Sequence, residues 1–188
     1  MVTQTKIPRV VSEDLPSNPF SFEVLALAAK QKSNAKKSEI LQRYSDPSLK
    51  TILIWNFDET IISLLPEGLV PYASVGQQNV SSGNLSDNIQ RSVEMMSDLG
   101  SNSIGSQDQG RTSIRKEYTY FYNFVKGGND TLPSIRRETI FIQILEGLHP
   151  NEAEVLCLVK DKQLQSKYKI TKDLVSEAYP DIKWGGRS

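Results

Sequence analysis

The chain has 188 residues, with 22 Lys and Arg against 22 Asp and Glu and a single His, so its formal net charge is zero. That balance excludes a global field drawing the protein onto nucleic acid or anionic lipid, and any polyanion site must be local. The length suits one small domain with extensions, and a lone cysteine, Cys157, excludes an intrachain disulfide.

Residues 1–19 mix Ile7, Val10 and Val11 with Pro8, Pro16 and Pro19, the pattern of an extended arm. Thr3, Gln4, Lys6 and Arg9 interrupt any apolar run there, so no signal-peptide pattern is present, and no stretch of the chain is long enough to span a bilayer. With one cysteine, the expectation is a reducing, intracellular setting, where the Asn-x-Ser/Thr matches at Asn79, Asn84 and Asn129 carry no meaning. Residues 20–73 form the first helical half. Phe22, Leu25, Ala26 and Ala29 recur at helical spacing; Asn34 is placed to cap a second helix over residues 35–44 with Ile40, Leu41 and Tyr44 on one side. Asp46-Pro47 opens a third, whose buried face is Leu49, Ile52, Leu53 and Phe57. Pro66, Gly68 and Pro71 leave the residues around 60–73 irregular.

Residues 74–112 are rich in Ser, Gly, Asn and Gln and read as a polar, flexible insertion, with Ile89, Val93, Met95, Met96 and Leu99 sufficient for one brief amphipathic helix. Residues 113–188 form the second helical half. An aromatic-rich helix runs over 113–125 and ends at Gly127-Gly128. A second covers 134–147, capped by Ser134, with Ile140, Phe141, Ile144, Leu145 and Leu148 as its stripe. The next starts at His149-Pro150 and buries Val155, Leu156, Leu158 and Val159; the last is capped by Thr171 and packs Leu174, Val175 and Ala178 before Tyr179-Pro180. The fold class expected is all-α, a small helical bundle with an N-terminal arm and an internal insertion.

Charge is uneven along this plan. Residues 1–73 carry eight basic and eight acidic side chains, 74–110 one and four, and 111–188 thirteen and ten. Two local clusters stand out: Lys30, Lys32, Lys36, Lys37 and Arg43 face only Glu39, and Lys160, Lys162, Lys167, Lys169 and Lys172 face only Asp161, a local net of +4 in each. If both lie on one side of the molecule they can neutralise several phosphates, with the helix start at Thr171 adding N–H donors. The competing reading is a solvated lysine face with no specific ligand.

Two segments resemble the N-terminal helical DNA-binding domain of ATP-dependent DNA ligases of T4-like phages. The first joins Phe22-Glu23-Val24-Leu25, Ala35-Lys36-Lys37-Ser38-Glu39-Ile40-Leu41 and Asp46-Pro47-Ser48-Leu49-Lys50. The second joins Asn151-Glu152-Ala153-Glu154-Val155-Leu156, Val159-Lys160-Asp161-Lys162-Gln163-Leu164 and Leu174-Val175-Ser176-Glu177-Ala178-Tyr179-Pro180-Asp181-Ile182. These residues, with Leu64-Leu65-Pro66-Glu67-Gly68 and Pro71-Tyr72, also resemble an uncharacterised family of small proteins of T4-like marine phages. The resemblance implies a phage protein that contacts duplex DNA through a turn between two helices, in the host cytoplasm during infection or in the virion. No Lys-x-Asp-Gly adenylation motif occurs, and where the ligase-like turn calls for small residues this chain has Gln165-Ser166-Lys167-Tyr168-Lys169.

No phosphate loop, nucleophile elbow or Cys-x-x-Cys is present, so no catalytic residue, metal ligand set or cofactor is expected. His149, at a helix start, suits capping; Asp58-Glu59 suits surface solvation; Cys157, on an apolar face, suits burial. The aromatics Tyr118, Tyr120, Phe121, Tyr122 and Phe124 suit core packing, with Tyr120 alone pointing elsewhere, and base stacking is the alternative. Trp184 reads equally as a docking plug for a partner or as a lid on the last helix. The function expected is therefore a non-catalytic DNA-binding accessory in phage replication, repair or packaging, with a virion or protein-interaction component as the rival.

Overall fold

A computed structural model describes residues 14–72 and 112–186 of the protein. Within them lie α1 (Ser21–Lys30), α2 (Asn34–Arg43), α3 (Pro47–Phe57), α4 (Ile114–Glu117) running into a 3-10 helix (Tyr118–Phe124), α5 (Ser134–Gly147), α6 (Pro150–Lys160), α7 (Leu164–Tyr168) and α8 (Lys172–Ala178). The fold is all-α; among the described residues the only extended pairing is one antiparallel bridge between Ser63 and Val125. Most of the expected arm and of the 74–112 insertion, including its brief helix, lies outside the described residues.

The helix starts follow local chemistry, though not always at the expected residue. Ser33, one place before Asn34, caps α2 by accepting the Lys36 N–H at 3.3 Å. Asp46 caps α3 through the Ser48 N–H at 2.9 Å, with Pro47 in the first turn. Ser134 does not cap α5; it is the first helical residue and follows Pro133. His149 caps α6, its Nδ1 accepting the Asn151 N–H at 3.1 Å while the ring stacks on Phe22 at 4.8 Å.

The aromatic segment departs from the expected α-helix. After Glu117 it tightens to three residues per turn, which puts Phe121 and Phe124 on the side that enters the core. They pack with Trp55 and Phe141. Tyr122, expected in the core, is 52% exposed together with Tyr120, because the tighter repeat rotates it away. Gly128 then closes the segment under the carbonyl of Tyr122, where a Cβ would sit 1.9 Å from the oxygen.

The centre of the bundle is α6. It packs against α1, α3, α5 and α7, and of its 11 residues only Asn151 and Leu158 escape burial. A helix buried all round is normally apolar. This one carries three charges inside, and each has partners. Glu152 accepts the first N–H groups of two other helices, Ile114 at 3.0 Å and Ser21 at 3.4 Å. Glu154 takes the ammonium of Lys167 at 2.5 Å. Lys160 donates to the carbonyls of Pro66 and Gly68 and to Asp161, pinning the loop after Leu65.

Candidate nucleic-acid interface

The two lysine clusters meet. Lys37, in the first turn of α2, donates from Nζ to the main-chain oxygen of Lys169 at 3.0 Å, across 132 positions of sequence. The contact belongs to a longer seam in which α2 lies against α8, closed at its far end by the Tyr179 hydroxyl donating to the Leu41 carbonyl. Lys169 takes part because the chain turns sharply there: it caps α7 in the left-handed region, φ 51°, so its carbonyl and side chain face outwards between α7 and α8.

Around this contact of Lys37 with Lys169, the exposed Lys36 precedes Lys37 in α2 and the half-buried Lys172 opens α8 three residues after Lys169, with Lys32 exposed on the bend leading into α2 and Lys30 exposed at the end of α1. Arg43 and Lys50 lie on α2 and α3 but are committed to Asp14 and Asp181, each at 2.9 Å. Lys37 spends one of its three N–H bonds on Lys169 and has two left.

Two of the expected phosphate ligands are elsewhere. Lys160 is 2% exposed and Lys167 is 7% exposed, and both ammonium groups point into the protein. The reason is the surplus of buried acceptors around α6: two loop carbonyls and Asp161 claim Lys160, and Glu154 claims Lys167. Lys162 is a partial case. It sits at φ 55° as the residue after Asp161, the C-cap of α6, where its N–H bonds Val159 and the next N–H, of Gln163, bonds Leu158. This is a Schellman cap, a position glycine usually fills. Its ammonium reaches the Asp58 carbonyl at 2.6 Å, and desolvation holds its pKa below the usual lysine value. The continuous stretch 160–172 is therefore not a basic turn; its first half is a structural clamp, and a short helix, α7, occupies its middle.

Trp184 folds back on α8. Its Nε1 donates to Ser176 Oγ at 2.9 Å, the ring leans on the edge of the core, and the ammonium of Lys172 lies 5.4 Å from the ring centroid. This geometry fits the lid reading, and the ring face beside the Lys172 ammonium keeps the docking reading open. Asp58 also departs from expectation: it is buried and accepts from Thr60 and from the Gly185 N–H at 3.0 Å, fastening the C-terminal segment to the end of α3. Cys157 is buried as expected, and burial pushes its thiol pKa up.

A family model matches the chain over residues 24–95 and 99–166, from the first turn of α1 into α7. The chain belongs to DUF6433, a family of unknown function. The matched region takes in Lys30, Lys32, Lys36 and Lys37 and the buried charges of α6, while Lys169, Lys172 and Trp184 lie beyond it. No curated protein and no solved structure matches the chain. No helix among the described residues is long and apolar enough to cross a membrane.

Proposed function

We propose that this DUF6433 protein is a non-catalytic accessory that binds duplex DNA by its phosphates, through Lys36, Lys37, Lys169 and Lys172 with Lys32 at the margin. The observation that carries the reading is the Lys37 to Lys169 contact, which joins two sequence-distant lysine clusters into one surface. Lysines of this kind are point charges that position a backbone without reading sequence, so binding is expected to be sequence-tolerant. In line with the ligase and phage resemblances, the protein would act in phage replication, repair or packaging, in the infected cell.

Fluorescence anisotropy with a labelled duplex, intact and nicked, across a salt series tests this. Each phosphate neutralised adds about 0.9 to the slope of log affinity against log salt, so four lysines predict a slope of roughly 3 to 4. A preference for the nicked duplex would support the ligase-like reading in particular. Absence of binding at low salt would sink the proposal.

A second reading, a virion or protein-interaction component, draws support from a different face. A cavity of about 200 Å³ lies between the loop Leu65, Pro66, Leu69, Val70 and the α5 residues Glu138, Phe141 and Ile142. Leu69 on its lining is 63% exposed, and Ile135, one turn along α5, is 79% exposed. Exposed large apolar side chains beside a cavity are a usual mark of protein contact. Charged substitutions at Leu69 and Ile135 would block incorporation into a particle or complex on this reading, and leave DNA retention unchanged.

A further inference from the structure

We infer that Trp184 and Lys172 together make the lysine surface a receptor for nucleic acid with unpaired bases, Trp184 stacking on a base while Lys172 moves to a phosphate. The inference rests on the phosphate-binding reading above and adds the substrate class.

The geometry supplies each part. Trp184 is held by its edge, through the indole N–H on Ser176 Oγ, and so keeps its orientation without help from the covering group. Lys172 and Ser176 are one turn apart on the same face of α8, so the ring lies along that face beside the start of the helix. The ring packs partly against the core, and over it lies the Lys172 ammonium at 5.4 Å, a cation–π contact to a flexible side chain. Lys172 makes no ion pair with a carboxylate among the described residues. It opens α8 three residues after Lys169, whose main-chain oxygen Lys37 binds. An incoming strand can therefore exchange both partners: a base plane replaces the ammonium on the indole, and a phosphate replaces the indole under the ammonium. Continuous duplex offers only the second half of that exchange, because its base faces are already stacked on each other. An aromatic face flanked by cations is the arrangement by which proteins hold single strands without sequence preference.

Trp184 also carries its own signal. The other tryptophan, Trp55, is buried at 2% exposure among Phe121 and Phe124, so quenching by a nucleic acid at the surface reports Trp184. The experiment uses the full chain, a twelve-residue thymidine oligonucleotide and a blunt duplex of equal charge, at low salt. The oligonucleotide is expected to quench the fluorescence and the duplex to bind with little quenching. Trp184→Leu, which retains apolar cover on α8, should weaken oligonucleotide binding about tenfold and leave duplex binding unchanged. Trp184→Phe should fall between. Oligonucleotide binding without quenching overturns the inference, as does an equal loss on both ligands in Trp184→Leu, which would mark the ring as a lid alone. In either case the phosphate reading survives if the duplex still binds with a steep salt slope. Failure of both ligands to bind removes the phosphate reading and this inference together.

Discussion

Lys160 and Lys167 share one basic stretch of sequence with Lys169, and Lys37 belongs to the other, yet Lys160 and Lys167 have a physical fate opposite to that of Lys37 and Lys169. The first pair is inside the protein, Lys160 held by the Pro66 and Gly68 carbonyls and Asp161, and Lys167 by Glu154 of α6. The second pair lies at the seam of α2 with the α7–α8 turn, and the acceptor Lys37 uses there is the main-chain oxygen of Lys169. Local charge density does not distinguish them. What does is whether the fold buries carboxylates and carbonyls nearby, since an isolated charge in the interior is costly and a paired one is tolerated. Basic stretches in a small helical protein are thus divided between architecture and surface by their neighbours.

The largest test of that division is to remove the buried cations. Lys167→Ala leaves Glu154 buried without a counter-charge and should cost about 3–5 kcal/mol in urea unfolding; Lys160→Ala should be similarly damaging, since it orphans the Pro66 and Gly68 carbonyls. The double change Lys167→Met with Glu154→Leu should recover most of the loss, because an apolar pair of similar volume is often as stable as a buried ion pair. A Lys167→Ala protein that melts like the parent would mean that Lys167 is not buried, and would return it to the candidate phosphate-binding lysines. Alanine at Lys36, Lys37 and Lys172, by contrast, should each change stability by less than about 0.5 kcal/mol and lower the salt slope of DNA binding by about 0.9.

A second comparison of buried charge is titratable. His149 and Glu152, three residues apart at the start of α6, are shifted towards neutrality by burial, His149 down to about 4 and Glu152 up to about 7. The two backbone N–H bonds on Glu152 oppose its shift without cancelling it. For His149 the folded state resists protonation, so its contribution is intact above about 6.5 and is lost as pH falls towards 4. For Glu152 the folded state holds its proton longer, so stability is fully present below about 4.5 and is lost as pH rises through 7. Between 4.5 and 6.5 the two slopes oppose each other. His149→Asn, which keeps a capping oxygen, should gain on the parent as pH falls from 6.5 towards 4, by up to about 1.4 kcal/mol per pH unit. Glu152→Gln should show the reverse, gaining on the parent as pH rises over the same range. Difference curves of equal sign in chemical unfolding across pH would show that one of the two groups is not buried.

The helices were legible because their signals are local: Asp46-Pro47, His149-Pro150 and Thr171 start helices where capping chemistry places them. The 3-10 turn of the aromatic segment was not, because its tightening follows from Phe121 and Phe124 seeking Trp55 and Phe141, contacts made across the sequence. The site was half legible. Lysine spacing marked two stretches that meet at Lys37 and Lys169 but could not separate Lys167 from Lys169, which depends on Glu154 being turned inwards. A clue was available in α6 itself. Apolar residues occupy every side of Ala153-Glu154-Val155-Leu156-Cys157-Leu158-Val159, and a helix buried all round must bury its charges and find them partners.

The smallest predicted effect concerns backbone rather than charge. Lys162 and Lys169 are the two non-glycine residues of positive φ among those described, at 55° and 51°. A side chain in that region costs about 1–2 kcal/mol relative to the right-handed helix, a cost glycine avoids, although glycine returns part of the gain as extra entropy in the unfolded chain. Lys169→Gly removes an exposed side chain and keeps the carbonyl that Lys37 binds. It should therefore stabilise the protein by about 0.5–1 kcal/mol while weakening DNA binding by one phosphate. Lys162→Gly relieves the same strain but gives up the ammonium on Asp58 at 2.6 Å, so its net effect should be close to zero. If Lys169→Gly proves more stable and binds DNA as well as the parent, Lys169 is an ornament of the turn, and the phosphate surface contracts to Lys36, Lys37 and Lys172. If it is more stable and binds more weakly, the chain keeps a strained lysine at the tip of the α7–α8 turn because a phosphate needs it there.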